Sequence, residues 1–218
     1  MPAAAVTGLA AEAAIARRRG LAAMATAGDA ERIEAAMVAL VADGADGVVS
    51  FGIAGALALE LAPGALLLPD AVCDEAGTEF PVHIAWRAHV AAHLRALGMD
   101  PVAGLLLGAA EIAAGPAAKT MLHLRTGAIA VDLESHIVAT VAQRMRIPFL
   151  ALRAVADPAR FALPPAAAVG LDAGGRVALV PVLRSLLREP AQLPTLLRLA
   201  AHTRCALRAL SRAAAALN

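Results

Sequence analysis

Aromatic side chains are scarce in this chain. It has one tryptophan and no tyrosine, and aromatics make up 2% of its 218 residues. Proteins that bind single-stranded nucleic acids rely on aromatic rings against which bases stack. A net charge of +1 also provides no excess of basic side chains for a phosphate backbone. The composition therefore argues against a nucleic-acid partner.

Lysine and cysteine are almost absent. Lys119 is the only lysine, and we interpret the arginine-rich remainder as the mark of a GC-rich genome. Cys73 and Cys205 lie far apart, which favours reduced thiols in a cytoplasmic protein. His89 and His93 have the spacing of a zinc pair, but a third ligand is not evident, so we predict no metal and no cofactor.

Long hydrophobic runs are also missing, although 60% of the residues are hydrophobic. Alanine accounts for much of that fraction, and no uninterrupted apolar stretch reaches the roughly 18 residues that a membrane-spanning helix needs. The N-terminus lacks a basic segment followed by an apolar signal core. We predict a soluble, cytoplasmic protein with a single domain over residues 1–218.

Short apolar runs alternate with helical periodicity along the chain. This alternation predicts an α/β fold, a three-layer sandwich around a mixed, mostly parallel sheet. Predicted strands are Pro2–Thr7, Gly20–Thr26, Gly47–Phe51, 65–73 and Val102–Leu107, and a strand–helix–strand unit covers 127–156. Predicted helices are Ala10–Arg18, Ala30–Asp43, Ile84–Leu97, Ala117–Leu124, and about 178–188 and 192–217.

Two carboxylates follow the strands of the strand–helix–strand unit. Glu134 comes after the first strand and Asp157 after the second. Ligands of parallel sheets collect at the carboxyl ends of strands, so both acids are candidate site residues. The structural alternatives are a capping role for Glu134 and an N-cap or turn role for Asp157.

The segments around these acids, Val131-Asp-Leu-Glu-Ser135 and Arg153-Ala-Val-Ala-Asp157, resemble the two signatures of the nucleoside phosphorylase / methylthioadenosine nucleosidase superfamily. The resemblance implies that Asp157 is the general acid that protonates a leaving purine. It further implies that Glu134, with Leu133 beside it, holds the ribose hydroxyls. Thr7-Gly-Leu-Ala-Ala-Glu12 resembles the family's opening turn, which implies that Glu12 activates the attacking water.

Further segments extend this resemblance to roughly residues 5–160. Val48–Leu57 resembles the glycine-rich strand end, which implies that Gly52, Ile53 and Ala54 face the nucleophile. Glu111 and Ile112 fall where the family binds the base. Gly28-Asp-Ala-Glu-Arg32 resembles a phosphate-binding Gly-Asp-Pro-x-Arg motif, which would make Gly28 and Arg32 phosphate ligands; a helix N-cap is the alternative. Inorganic phosphate as co-substrate and water as nucleophile both stay open.

The closest resemblance is to the hopanoid-associated phosphorylase branch, through Ser50–Gly55, Val131–His136, Leu163–Ala166 and Pro190–Pro194. It implies release of adenine from adenosylhopane, a nucleoside with a lipid on its 5′ side. The alternatives are a methylthioadenosine/adenosylhomocysteine nucleosidase and a non-catalytic nucleoside- or lipid-binding relative. Three residues depart from the family pattern: Ile53 and Ala156, each in place of a serine, and Glu111, in place of a stacking aromatic. Ile53 and Ala156 keep the last alternative open, whereas the retained carboxylates argue against it.

Two segments bear on partners. The apolar composition of Phe161–Leu171 predicts an open apolar wall beside the 5′ end of the substrate; the alternative is that these residues cover the sheet or a dimer contact. The leucine- and arginine-containing C-terminal helix fits a cover for the sheet, a subunit contact or peripheral contact with a membrane. We expect a homo-oligomer.

Overall fold

Strands and helices alternate along the computed structural model, which describes residues 2–167, 175–176 and 179–217. The strands are β1 (Ala3–Thr7), β2 (Ala22–Ala25), β3 (Gly47–Ala56), β4 (Leu66–Leu67), β5 (Ala71–Cys73), β6 (Glu79–Pro81), β7 (Leu105–Gly108), β8 (Ala130–Asp132) and β9 (Phe149–Asp157). The α-helices are α1 (Ala10–Arg18), α2 (Ala30–Ala42), α3 (Ile84–Ala96), α4 (Pro116–Thr126), α5 (Ser135–Met145), α6 (Leu179–Arg188) and α7 (Leu193–Ala213).

All the described strands belong to one mixed sheet with the order β2-β1-β3-β8-β7-β5-β6. The long strand β3 pairs in parallel with β1 and β9, while its last two residues pair antiparallel with β8. Strand β7 pairs in parallel with β5 and β8, and the short strands β4 and β6 add antiparallel pairs. The predicted α/β fold with a mostly parallel central sheet is confirmed.

The core follows from the apolar runs. Residues 149–156 of β9 are all buried, as expected for a strand covered on both faces. Helix α7 packs on β9 and buries Ala206, Leu210 and Ala213. The C-terminal helix therefore covers the sheet, one of its three predicted uses. Within the described residues, no helix is long and apolar enough to cross a membrane.

Three strand predictions differ from the structure. The single strand predicted over 65–73 is divided into β4 and β5, with Pro69 between them, because proline cannot donate to a strand ladder. Strand β6 went unpredicted because three residues that include Pro81 show no usable periodicity. Strand β3 runs on through Gly52 and Gly55, which we had expected to end it.

Candidate active site

The carboxyl ends of β1, β3, β8 and β9 surround a cavity of about 260 Å³. Several of the predicted site residues line it: Glu12, Ile53, Ala54, Glu111, Ile112, Leu133, Glu134 and Asp157. The other lining residues are Gly8, Leu9, Gly55, Ala113, Val131, Asp132, Leu163 and Ala167. The sheet topology thus gathers side chains that are far apart in sequence, such as Glu12 and Asp157, which are 145 positions apart.

Glu12 is held rigidly in the wall of this cavity. Its carboxylate accepts hydrogen bonds from the backbone N–H groups of Leu9 and Ile53, both at 2.8 Å. Burial raises the pKa of Glu12, although the nearby Arg153 guanidinium and the two backbone bonds oppose the rise. A buried carboxylate with a raised pKa is suited to accept a proton from a weak nucleophile.

Arg153 forms a buried ion pair at the centre of the site. Its Nε lies 2.7 Å from Asp132 Oδ2, and its Nη2 lies 3.4 Å from Glu134 Oε2. Nη2 also donates to Ser50 Oγ at 2.6 Å. The guanidinium is 1% exposed, so its charge is balanced inside the protein rather than by water.

Glu134 lies farther from the Arg153 guanidinium than Asp132 does, at 3.4 Å against 2.7 Å. Burial is the main cause that raises the pKa of Glu134 to about 8; the Arg153 guanidinium opposes the rise, and Asp132 and Glu12 add to it. The capping alternative does not apply to it: Asp132 Oδ1 accepts the N–H groups of Glu134 and Ser135, and the Glu134 side chain caps nothing. Its carboxylate is therefore available to the cavity.

Two glycines of β3 make room for these charged groups. A Cβ on Gly52 would lie 2.5 Å from Arg153 Nη1 and 2.7 Å from Glu12 Oε1. A Cβ on Gly55 would lie 3.0 Å from Asp157 Oδ2. Gly52 does not itself line the cavity, so its contribution is the space that Arg153 Nη1 and Glu12 Oε1 occupy beside it.

Asp157 ends β9 after a bulge. The register with β3 passes from Ala54–Val155 to Gly55–Asp157, which leaves Ala156 without a partner and turns the aspartate toward the cavity. Its side chain is 13% exposed. Burial raises the pKa of Asp157, and the ammonium of Lys119, in direct contact with Oδ2, opposes the rise.

The Gly28–Arg32 segment does not contribute to the cavity wall. Asp29 Oδ1 accepts the backbone N–H of Arg32, so the segment forms the N-cap of α2, as the alternative interpretation proposes. Arg32 is exposed on that helix. Gly28 does approach the site, since a Cβ there would lie 3.6 Å from Glu134 Oε1.

The residues predicted to face the base and the 5′ group lie at the edge of the cavity. Ile112 is 44% exposed, and Glu111 beside it is exposed as well. Of the apolar segment Phe161–Leu171, Leu163 and Ala167 line the cavity, while residues 168–171 lie outside the described residues.

Sequence reasoning missed the groups that balance these carboxylates. Arg153 and Asp132 lie inside the two signature segments, and a charge within an apolar strand is the available signal. The scarcity of lysine was interpreted as a mark of genome composition and no role was predicted for Lys119, yet it is a buried partner of Asp157. In the described ranges, no group of three or more His, Cys, Asp or Glu side chains could hold a metal ion.

The profile of the Phosphorylase superfamily matches residues 27–171, about two thirds of the sequence. The chain belongs to the phosphorylase superfamily. A comparison with curated proteins gave no match. The predicted superfamily is therefore confirmed, whereas membership of the hopanoid-associated branch stays a prediction.

Solved structures share this superfamily fold over most of their length. The methylthioadenosine/adenosylhomocysteine nucleosidase of Neisseria meningitidis, in complex with methylthio-immucillin-A, is 14% identical with a TM-score of 0.73, covering 100% of this chain and 98% of its own. Futalosine hydrolase of Helicobacter pylori is 16% identical with a TM-score of 0.66, covering 86% and 97%. The adenosylhomocysteine nucleosidase of Streptococcus pyogenes is 17% identical with a TM-score of 0.65, covering 85% and 95%. At these identities the likeness establishes the fold.

Proposed function

We propose that this phosphorylase-superfamily member cleaves the N-glycosidic bond of a purine nucleoside, with water as the nucleophile. The observation that carries the proposal is the presence of two differently balanced carboxylates in one cavity. Asp157 is paired with the ammonium of Lys119, whereas Glu12 is held by two backbone N–H groups beside Arg153. One group suits a proton donor and the other a proton acceptor.

The reaction needs both. Asp157 hands a proton to N7 of the purine, so that the bond between C1′ and N9 breaks with its electrons leaving on a neutral base. Water adds to C1′ of the oxocarbenium-like sugar and gives its proton to Glu12. Glu134 accepts hydrogen bonds from the ribose hydroxyls and so holds the sugar between the two groups.

Electrostatics favours water over phosphate. Three carboxylates, those of Glu12, Asp132 and Glu134, act on the charge of the single guanidinium of Arg153. A phosphate dianion in this wall would face three carboxyl groups and a single cation. The N–H groups of Leu9 and Ile53, which would be natural anion donors, already bind Glu12.

Within this class, the preferred substrate is a nucleoside with an apolar 5′ group, as in adenosylhopane. The apolar side chains of Leu163, Ala167 and Ile112 in the cavity lining support this choice. A small 5′-methylthio group is the alternative, since the structural neighbours include nucleosidases for such compounds. Turnover separates the two: kcat/KM should rise along a series of 5′-alkyl adenosines, by up to about 0.8 kcal/mol per buried methylene, only if an apolar groove receives the chain.

The direct test is release of adenine. The pure protein is incubated with adenosine, 5′-deoxyadenosine and 5′-methylthioadenosine, with and without inorganic phosphate, and the products are separated by chromatography. We expect adenine and the free sugar at a rate that phosphate does not change. A phosphate-dependent rate with sugar 1-phosphate as product would contradict hydrolysis, and absence of cleavage of any purine nucleoside would contradict the proposed function.

A further inference from the structure

Lys119 is the only lysine of the chain, and it is almost completely buried. The residue is 1% exposed, on the inner face of α4. Its ammonium contacts Asp157 Oδ2 and also donates to the backbone oxygens of Pro158, at 3.0 Å, and Phe161, at 3.3 Å. All three N–H donors of the ammonium therefore go to the short segment that begins with Asp157.

A buried ammonium is costly unless it has a specific partner. Here the partner is the carboxylate proposed as the general acid. The two side chains together hold one transferable proton. When it is on Lys119, the pair is an ammonium and a carboxylate; when it is on Asp157, the pair is an amine and a carboxylic acid. Lys119 is in contact with Asp157, and Asp157 lines the cavity while Lys119 does not.

The other elements around Asp157 supply little that could replace Lys119. Gly55 of β3 is in van der Waals reach of the carboxylate and carries no side chain. His202 of α7 is the other titratable group whose charge acts on Asp157. Its ring packs edge-to-face on Phe161, with the centroids 5.2 Å apart, rather than forming a hydrogen bond to Asp157.

An ammonium in contact with a carboxylate favours the ionised form, so Lys119 acts against the raised pKa that burial gives Asp157. Lys119 would therefore oppose general acid catalysis if it acted only as a counter-charge. The contradiction disappears if the ammonium is itself the source of the proton.

We propose that Lys119 is a positioning residue that holds Asp157 at the cavity and supplies, through Asp157, the proton taken up by the leaving purine. The inference rests on the proposed function. A proton moves from Lys119 Nζ to Asp157, and Asp157 gives a proton to the purine as the C1′–N9 bond breaks. The pair is left as a neutral amine and a carboxylate, and it regains one proton from water in the cavity after the base leaves.

The pH profile of kcat/KM distinguishes this role from a counter-charge. In the wild type, the pair includes the ammonium as its proton source. In Lys119→Met, Asp157 is the only proton source that remains. Activity should therefore be retained at acidic pH, and the alkaline limb of the profile should fall at a lower pH than in the wild type. At pH 9 the loss should reach about 10²–10⁴-fold. If Lys119 were a counter-charge alone, its removal would raise the pKa of Asp157 and shift the alkaline limb the opposite way.

Arg125→Met is the matched control. It removes a positive charge from the same helix, but Arg125 is exposed and its ion pair with Glu75, at 3.6 Å, lies away from Asp157. We expect its pH profile to overlay the wild type. Thermal unfolding of each variant monitors folding.

Lys119→Arg decides the question where Lys119→Met does not fold. A guanidinium keeps the charge and the hydrogen bonds but does not release a proton. We expect low activity from Lys119→Arg, with partial recovery of Lys119→Ala by ethylamine. Two results would overturn the role of Lys119 without touching the proposed function. One is a wild-type rate and pH profile in Lys119→Arg; the other is an alkaline limb in Lys119→Met that stays in place or moves to higher pH. A wild type that cleaves no nucleoside would instead contradict the proposed function, and with it this inference.

Discussion

Replacing Glu134 by glutamine should stabilise the protein at pH 8 and leave its stability almost unchanged at pH 5. Burial is the main cause that raises the pKa of Glu134 to about 8, from an ordinary value of 4.5. In the folded protein the carboxyl therefore keeps its proton through most of the neutral range. Glutamine mimics that neutral form, and it leaves the 2.7 Å ion pair between Arg153 and Asp132 in place.

The sign follows from proton binding in the two states. Between about pH 4.5 and pH 8, the unfolded chain has lost the proton of Glu134 while the folded chain retains it. The free energy of unfolding of the wild type therefore decreases as the pH rises through this interval, by up to about 1.4 kcal/mol per pH unit from this group. The glutamine variant lacks this contribution, so the two stabilities diverge with increasing pH.

Urea unfolding of both proteins at pH 5, 6, 7 and 8 measures the divergence. The matched control is Glu34→Gln, which removes an exposed carboxylate paired with Arg144 at 2.8 Å and should change stability by less than about 1 kcal/mol. Stabilities of wild type and Glu134→Gln that stay parallel from pH 5 to pH 8 would refute the reasoning, because the carboxyl would then titrate alike in the folded and unfolded chains.

Three other substitutions, and activity measurements on Glu134→Gln, test the site. Asp157→Asn should reduce base release about 10²–10⁴-fold while calorimetry still detects nucleoside binding, because an amide has no acidic proton; unchanged turnover would remove Asp157 from the mechanism. Glu134→Gln should lower kcat/KM more for ribosides than for 2′-deoxyribosides, and equal losses would mean a structural role. Gly55→Ala places a Cβ 3.0 Å from Asp157 Oδ2 and should lower kcat with little change in the melting temperature. Arg153→Met leaves Asp132 buried without its cation and should cost about 3–5 kcal/mol of stability in urea unfolding; a loss below 1 kcal/mol would show that water replaces the guanidinium.

The sequence predicted the parts of this protein that depend on local pattern. Continuous apolar runs predicted the strands on both sides of α5, and the acids that follow them were expected at one sheet edge. Glu134 and Asp157 do line the same cavity. The rule is simple, since parallel strands present their carboxyl ends together.

Pairings between distant residues could not be predicted in the same way. Lys119 is 38 positions from Asp157, and Arg153 is 103 positions from Ser50. Neither spacing follows a helix or strand period, so the contacts depend on how the sheet is ordered. The bulge at Ala156 is likewise a property of the pairing between β3 and β9 and leaves no signature in either segment.

The charge distribution links the stability of Glu134→Gln to its activity. Around Arg153 the protein has buried more carboxyl groups than cations; burial above all raises the pKa values of Glu12 and Glu134 and lowers the stability of the fold as the pH rises toward 8. A sugar that becomes oxocarbenium-like beside this wall favours the ionised form of Glu134, and that carboxylate stabilises the transition state more than the ground state. The same substitution should therefore make the protein more stable and a poorer catalyst, a trade-off common at sites built under strain.

The purine end differs, because Lys119 balances Asp157 and the leaving base needs a proton rather than a charge. Replacing Glu134 by glutamine, which cannot ionise, should thus slow the step at the sugar without moving the alkaline limb, whereas Lys119→Met should move that limb.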